Sequence, residues 1–202
     1  MILAVAIAVA AFHDGGDPVS LARSYRSGDV DVYRLQISPL GKTTPLSNPF
    51  EIRVAVEEGP MLVASGADTP YGDSRLLAKW QPLANGLVKQ VVSANQTYSF
   101  LPSLFSTNDA ALKPGEIEAV GSGSIKLVGV KDSVAQLKIW APLGGDLVLS
   151  ESSDVEVATR RLNHAQGTIY RNSGGRLVAV RSFVLERVRT VPVSPIPQDG
   201  GG

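Results

Sequence analysis

From Gly28 onward the chain alternates apolar and polar residues in short runs bounded by Gly, Pro, Asn and Asp, the pattern of half-buried β-strands. Tyr33, Leu35 and Ile37 alternate with Arg34, Gln36 and Ser38, and Phe50, Ile52, Val54 and Val56 alternate with Glu51, Arg53 and Glu57. Glu58-Gly59-Pro60 turns this second run into Met61 to Ser65, which predicts a hairpin. Further strands are predicted over Gly86 to Ser93, Tyr98 to Leu101 (ending before Pro102), Glu116 to Val120, Ser124 to Val130 and Val134 to Trp140. Gly121-Ser122-Gly123 and Lys131-Asp132 separate the last three. Pro142 to Gly145 reads as a turn into Asp146 to Ser150, with Asp154 to Arg160 following. The final hairpin is the clearest: Thr168 to Arg171 and Arg176 to Val188 flank Asn172-Ser173-Gly174-Gly175, which holds the glycines a tight turn needs. Its second arm carries apolar residues at both parities: Leu177, Ala179, Phe183 and Leu185 on one, Val178, Val180, Val184 and Val188 on the other. That composition predicts a central strand covered on both faces.

Two short helices complete the reading. Asp17-Pro18 has the form of an N-cap with proline at the first helical position, predicting a helix through Ala22. Asp73 to Trp80, with Leu76, Leu77 and Trp80 on one helical face and Pro82 as a stop, predicts the second.

One short unit occurs twice. Tyr25-Arg26-Ser27-Gly28-Asp29-Val30-Asp31-Val32 and Leu112-Lys113-Pro114-Gly115-Glu116-Ile117-Glu118-Ala119 share a large residue, a base, a turn residue, Gly, an acid, a β-branched residue, an acid and a small apolar residue. The expectation is an all-β, antiparallel protein whose two similar halves form a large curved sheet, half-barrel or paired sheets. Residues 17–104 are the first half and 105–190 the second, with the Pro, Ser, Thr, Asn and Asp of Leu101 to Ala111 near the boundary. Three prolines and three terminal glycines make 191–202 a tail with no packing logic.

Charge and composition narrow the function. Among 202 residues, 19 Lys and Arg balance 19 Asp and Glu, so nothing favours a nucleic acid or an anionic membrane. Aromatics make up 6%, with tryptophan only at 80 and 140, which weighs against a sugar- or base-stacking surface. The absence of cysteine removes disulfides, thiolate metal sites, iron–sulfur clusters and the lipid-modified cysteine of a bacterial lipoprotein. Met1 to Phe12 is almost wholly apolar, too short to span a bilayer, and fits a signal peptide ending near Ala8-Val9-Ala10 within residues 1–16. It lacks a leading Lys or Arg, and a buried first strand or helix is the alternative.

Candidate chemistry is thin. His13 lies beside the proposed cleavage point, and His164 sits in a predicted polar turn, Asn163 to Gly167. Gly121-Ser122-Gly123-Ser124 begins like a phosphate-binding loop, but Lys126 replaces its third glycine and a strand follows, so a hinge is expected. Glu57 with Glu58, Glu116 with Glu118, and Asp154 with Glu156 read as solvated pairs on a wet sheet face. Arg160, Arg161, Arg171, Arg176, Arg181, Arg187 and Arg189 make the C-terminal part cationic, either through cross-strand pairing with Glu151, Glu156 and Glu186 or as an anion-facing patch.

The Gly28-Asp29 to Tyr33-Arg34-Leu35 segment, the Pro114-Gly115-Glu116 turn and Gly174-Gly175-Arg176-Leu177 resemble a loose group of uncharacterised exported bacterial envelope proteins rich in β-structure. The chain has Ala119 and Val120 where that group often has a tryptophan. The resemblance implies a periplasmic or secreted location and a fold style, and no activity. On the alternating residues themselves, a curved sheet would line a concavity with Tyr33, Leu35, Ile37, Phe50, Ile52 and Val54. The expectation is a non-enzymatic module that binds an apolar small molecule or lipid there. It would need no cofactor, no metal, no nucleic acid and no transmembrane segment. The alternative is a structural or protein–protein module of the envelope with a filled core.

Overall fold

The computed structural model describes residues 16–21, 27–57, 61–66, 69–70, 76–82, 88–93, 96–105, 111–120 and 122–191. The proposed signal segment up to residue 15, the tail from 192, Tyr25-Arg26, Glu58 to Pro60 and Asp73 to Arg75 lie outside them. A two-stranded sheet pairs β1 (Val19–Ser20) with β7 (Ala111–Leu112). An 11-stranded antiparallel sheet contains the rest: β2 (Val30–Ile37), β3 (Phe50–Glu57), β4 (Met61–Gly66), β5 (Leu76–Pro82), β6 (Val88–Ser93), β8 (Ile117–Val120), β9 (Gly123–Lys131), β10 (Val134–Gly144), β11 (Leu147–Glu156), β12 (Leu162–Ser173) and β13 (Arg176–Val191). The order β6-β5-β4-β3-β2-β13-β12-β11-β10-β9-β8 makes two meanders, one from each part of the chain, joined where β2 pairs with β13. β6 and β8 are the edges of this curved, open sheet. The boundary between residues 104 and 105 falls inside α1 (Leu101–Phe105).

The Gly28-Asp29 and Gly115-Glu116 steps of the two similar units each form a bulge. Gly28 N donates to Val56 O at 2.7 Å while Val56 N donates to Asp29 O at 2.9 Å. Gly115 N donates to Leu127 O at 2.7 Å and Leu127 N to Glu116 O at 3.2 Å. With φ of 86° and 87°, each glycine is the left-handed first residue of a G1 bulge, in which two residues oppose one. The acid after each glycine does different work. Asp29 meets Arg161, and Glu116 Oε2 accepts a hydrogen bond from Lys113 N at 2.7 Å. The strands that follow also differ in place, β2 being central and β8 an edge.

Most predicted strands are present, and the departures have physical causes. Val19–Ser20 is β1, so the segment after Asp17-Pro18 starts as a strand rather than a helix; sheet pairing with β7 overrides the cap signal. Leu76–Pro82 is a strand, correcting the predicted helix over Asp73 to Trp80. A register shift between Ala64 and Ser65 of its partner leaves Leu77 unpaired, so Leu77 is buried with Ala78 and Trp80, while Leu76, read as part of the helical face, is exposed. Tyr98 to Leu101 is not a strand: Gln96–Tyr98 is a 3-10 turn and α1 follows. The β10–β11 turn is Gly145-Asp146, with Pro142 still in β10, and Leu147 to Glu156 is one strand rather than parts of two. Asn163 to Gly167 lies within β12 rather than in a turn.

The last hairpin turns at Gly174-Gly175, whose φ of 59° and 86° match a type I′ turn, so Asn172 and Ser173 belong to β12. β13, at 16 residues, pairs antiparallel with β12 and lies between it and β2, as a central strand should. It is not covered on both faces. Register shifts at Ile169/Tyr170 and Arg187/Arg189 switch its parity, so Val180, Phe183 and Leu185 are buried while Leu177, Val178 and Val188 are exposed. Gly167 on β12 makes room for this packing. A Cβ there would lie 2.7 Å from Ser150 O and 2.8 Å from the Phe183 ring, which rests over the strand in its place.

Candidate functional site

Tyr33, Leu35, Ile37, Phe50, Ile52 and Val54 come together on one face of the sheet. The register sets Tyr33 opposite Ile52, Leu35 opposite Phe50 and Ile37 opposite Phe183. All six belong to the buried core, which continues through Leu62, Ala64, Ala78 and Trp80 on one side and Phe183, Leu185, Ala165, Leu149 and Leu137 on the other. The concave face is thus one apolar surface shared by both meanders.

Two short elements lie on it. Leu101, Leu104 and Phe105 recur at helical spacing and place one apolar face of α1 against the sheet. Phe105 meets Tyr33 edge-on at 5.4 Å and stacks on Trp80 at 5.6 Å with planes 16° apart. Phe100 stacks on Phe183 at 4.6 Å. Pro102 falls in the first helical turn, where its missing N–H is not needed. Arg181, 2% exposed, donates from Nη1 to the Thr97 carbonyl and so fastens the 3-10 turn to β13. Glu151, 3% exposed, and Ser153 are further buried polar residues, both on β11. Among the described residues, buried Trp80 Nε1 has no hydrogen-bond partner. The sequence reading missed α1, Phe100 and Phe105, for which the 101/104/105 spacing behind Phe100 was the available signal, and it grouped Arg181 with the cationic residues, whereas Arg181 is buried.

Ion pairs tie neighbouring parts of the sheet together. Arg161 Nη2 lies 2.7 Å from Asp29 Oδ2 and its Nη1 2.5 Å from Asp31 Oδ1 and 3.1 Å from Thr190 Oγ1, tying β2, β13 and the β11–β12 turn. Arg187 pairs with Glu156 at 2.9 Å, Arg171 with Asp146 at 3.2 Å, Arg189 with Glu51 at 3.6 Å and Lys79 with Glu57 at 3.1 Å. Of the arginine–glutamate pairings expected from the sequence, Arg187–Glu156 is formed; Arg161 and Arg171 find aspartates instead. His164 lies on the opposite face of β12, in register with Asp154 and Glu186. Gly123 pairs with Val120 between β8 and β9, and a Cβ there would meet Trp140 O, so Gly123 opens β9; Gly121 of the Gly-Ser-Gly segment lies outside the described residues. Among the described residues no group of three potential metal ligands occurs, and no helix is long and apolar enough to cross a membrane.

The Glu156 carboxyl is held below its ordinary value of 4.5, first by the hydrogen bond from Thr159, then by Arg187. A carboxylate with a lowered folded pKa adds stability above its unfolded value and loses it as pH falls through the folded one. Glu156→Gln should therefore lower the urea midpoint at pH 7 and narrow the gap to wild type as pH falls below 4.5. A gap of constant size across that window would show that the ionised carboxylate contributes nothing.

No family model matches the chain, and no curated protein matches it. Among solved structures, the chain is similar to a LolA superfamily protein from Nitrosomonas europaea (8% identity, TM-score 0.36, covering 87% of this chain and 90% of that one). It is also similar to Rv2717c from M. tuberculosis (16% identity, TM-score 0.31, covering 81% and 92%). Neither likeness places the chain in a family.

Proposed function

We propose that this protein is a non-enzymatic periplasmic or secreted module that holds an apolar ligand, an acyl chain, between the concave sheet face and α1. The supporting observation is how short the described helical cover is on a long, buried apolar face shared by both meanders. Eleven strands at a spacing of ~4.8 Å span on the order of 48 Å. A helix of five residues is ~7.5 Å long. Among the described residues, α1 and one 3-10 turn are the helical cover of that face. A helix this short has little stability of its own and is held by Phe105, Leu101 and Leu104, so an apolar chain can replace its contacts with the sheet like for like. Tyr33, Leu35, Ile37, Phe50, Ile52 and Val54 would then line the bound chain. The apolar Met1 to Phe12 run supports the location.

Trp80 reports on the exchange because its ring stacks on Phe105. In a Trp140→Phe variant, Trp80 is the sole tryptophan. Titration with dodecanoate should shift its emission to saturation at one equivalent. Emission that ignores dodecanoate and longer fatty acids would favour the filled-core alternative, for which the Tyr33–Phe105–Trp80 ring cluster is the specific support.

A further inference from the structure

The opposite face of the sheet carries a recess of different chemistry. Register sets Ser150, Thr168 and Ser182 side by side on β11, β12 and β13, with Ser152, Gln166 and Val184 in the next row. Leu46, from the loop after β2, overhangs them and closes an open recess of about 360 Å³, within the size range of small-molecule sites. The loop is held by Ser182 Oγ donating to Thr43 O, by Ser47 N donating to Ile37 O at 2.8 Å and by Ile37 N donating to Ser47 Oγ at 3.1 Å. Glu151, the one charged residue of the lining, alternates with Ser150 and Ser152 and is 3% exposed on the core side. The wall presented to a ligand is therefore uncharged: hydroxyl and amide groups, with Leu46 and Val184 as its apolar part.

An aromatic pair borders the recess. Trp140 is opposite Ser150 on β10, and Tyr170 is two residues beyond Thr168 on the same face. Their rings lie 6.3 Å apart, tilted by 32°, and both are half-buried. Exposed Lys138, opposite Ser152, and its β9 partner Lys126 are cations on this side of the recess.

We propose that this recess, with Trp140 and Tyr170 at its edge, binds a neutral saccharide. A sugar ring offers a C–H face that packs on an aromatic plate and a rim of hydroxyls that both donate and accept. The hydroxyls of Ser150, Ser152 and Thr168 and the Gln166 amide also donate and accept, while Ser182 Oγ, whose proton goes to Thr43 O, can accept. Other ligand classes fit less well. An acyl chain would need an apolar lining, and a nucleic acid would need a basic groove alongside the rings. Sparse aromatic content argued against a sugar-stacking surface; the fold instead sets one of the two tryptophans and a tyrosine side by side here.

The test is calorimetric titration of the full chain with tri-N-acetylchitotriose and, separately, maltotriose. One of the two should bind saturably at millimolar concentration or below. Trp140→Ala should weaken that binding on the order of tenfold. Thr168→Val, which keeps the rings and removes one hydroxyl, should weaken it several-fold and serves if the first variant does not fold. A loss of affinity in either folded variant supports the site. No binding of either trisaccharide, or binding that both folded variants retain in full, overturns it. Dodecanoate binding is expected to be unaffected by Thr168→Val, so this site and the concave face fail or succeed separately.

Discussion

Phe183→Ala should lower the unfolding free energy by about 3–5 kcal/mol, the cost of emptying a large aromatic site in a core that cannot collapse to fill it. Phe183 is 1% exposed, stacks on Phe100 and covers Gly167, which has no side chain of its own to close the gap. It sits on the central strand, where β2 and β12 flank it and restrict relaxation. Urea unfolding measures the effect directly. A variant with the parent's midpoint and slope would show that this ring is not part of the core.

Phe105→Ala should cost a similar amount, about 3–5 kcal/mol, because one ring serves both Tyr33 and Trp80. Its spectroscopic effect should separate it from other core truncations. Removing the ring uncovers one face of Trp80, so in the Trp140→Phe background native-state emission should move to longer wavelength before any unfolding. Phe183→Ala, which removes a ring stacked on Phe100, should leave the Trp80 emission of its native state in place. Unchanged Trp80 emission in Phe105→Ala would mean that α1 does not cover this part of the sheet.

The strands were largely legible because burial on one face imposes a period of two, and Tyr33 to Ile37 and Phe50 to Val56 keep it without interruption. The six residues read as a concave lining do share one buried face. Bulges are where the reading fails. The unpaired Leu77 puts Leu77 and Trp80, three apart, on the core side of β5 in a spacing that looks helical, and the shifts in β13 turn two apparent apolar faces into one. Alternation cannot reveal such a shift, because the residue that breaks register is defined by the partner strand. The helix α1 was hidden for another reason. At five residues it is too short to show more than one repeat of its period, and Pro102 reads equally as the end of a strand or the start of a helix. The outer recess depends on cross-strand neighbours from β10, β11, β12 and β13, far apart along the chain, and no local pattern announces it.

The central claim is that the concave face holds an acyl chain beneath α1, and native mass spectrometry of the full chain tests it most directly. Protein purified without detergent from a bacterial host should carry added mass in the range of a fatty acid or lipid. Organic extraction should remove that mass, and dodecanoate should restore a one-to-one adduct that competes with it. A single peak at the mass of the bare chain, before and after incubation with dodecanoate, would contradict the account.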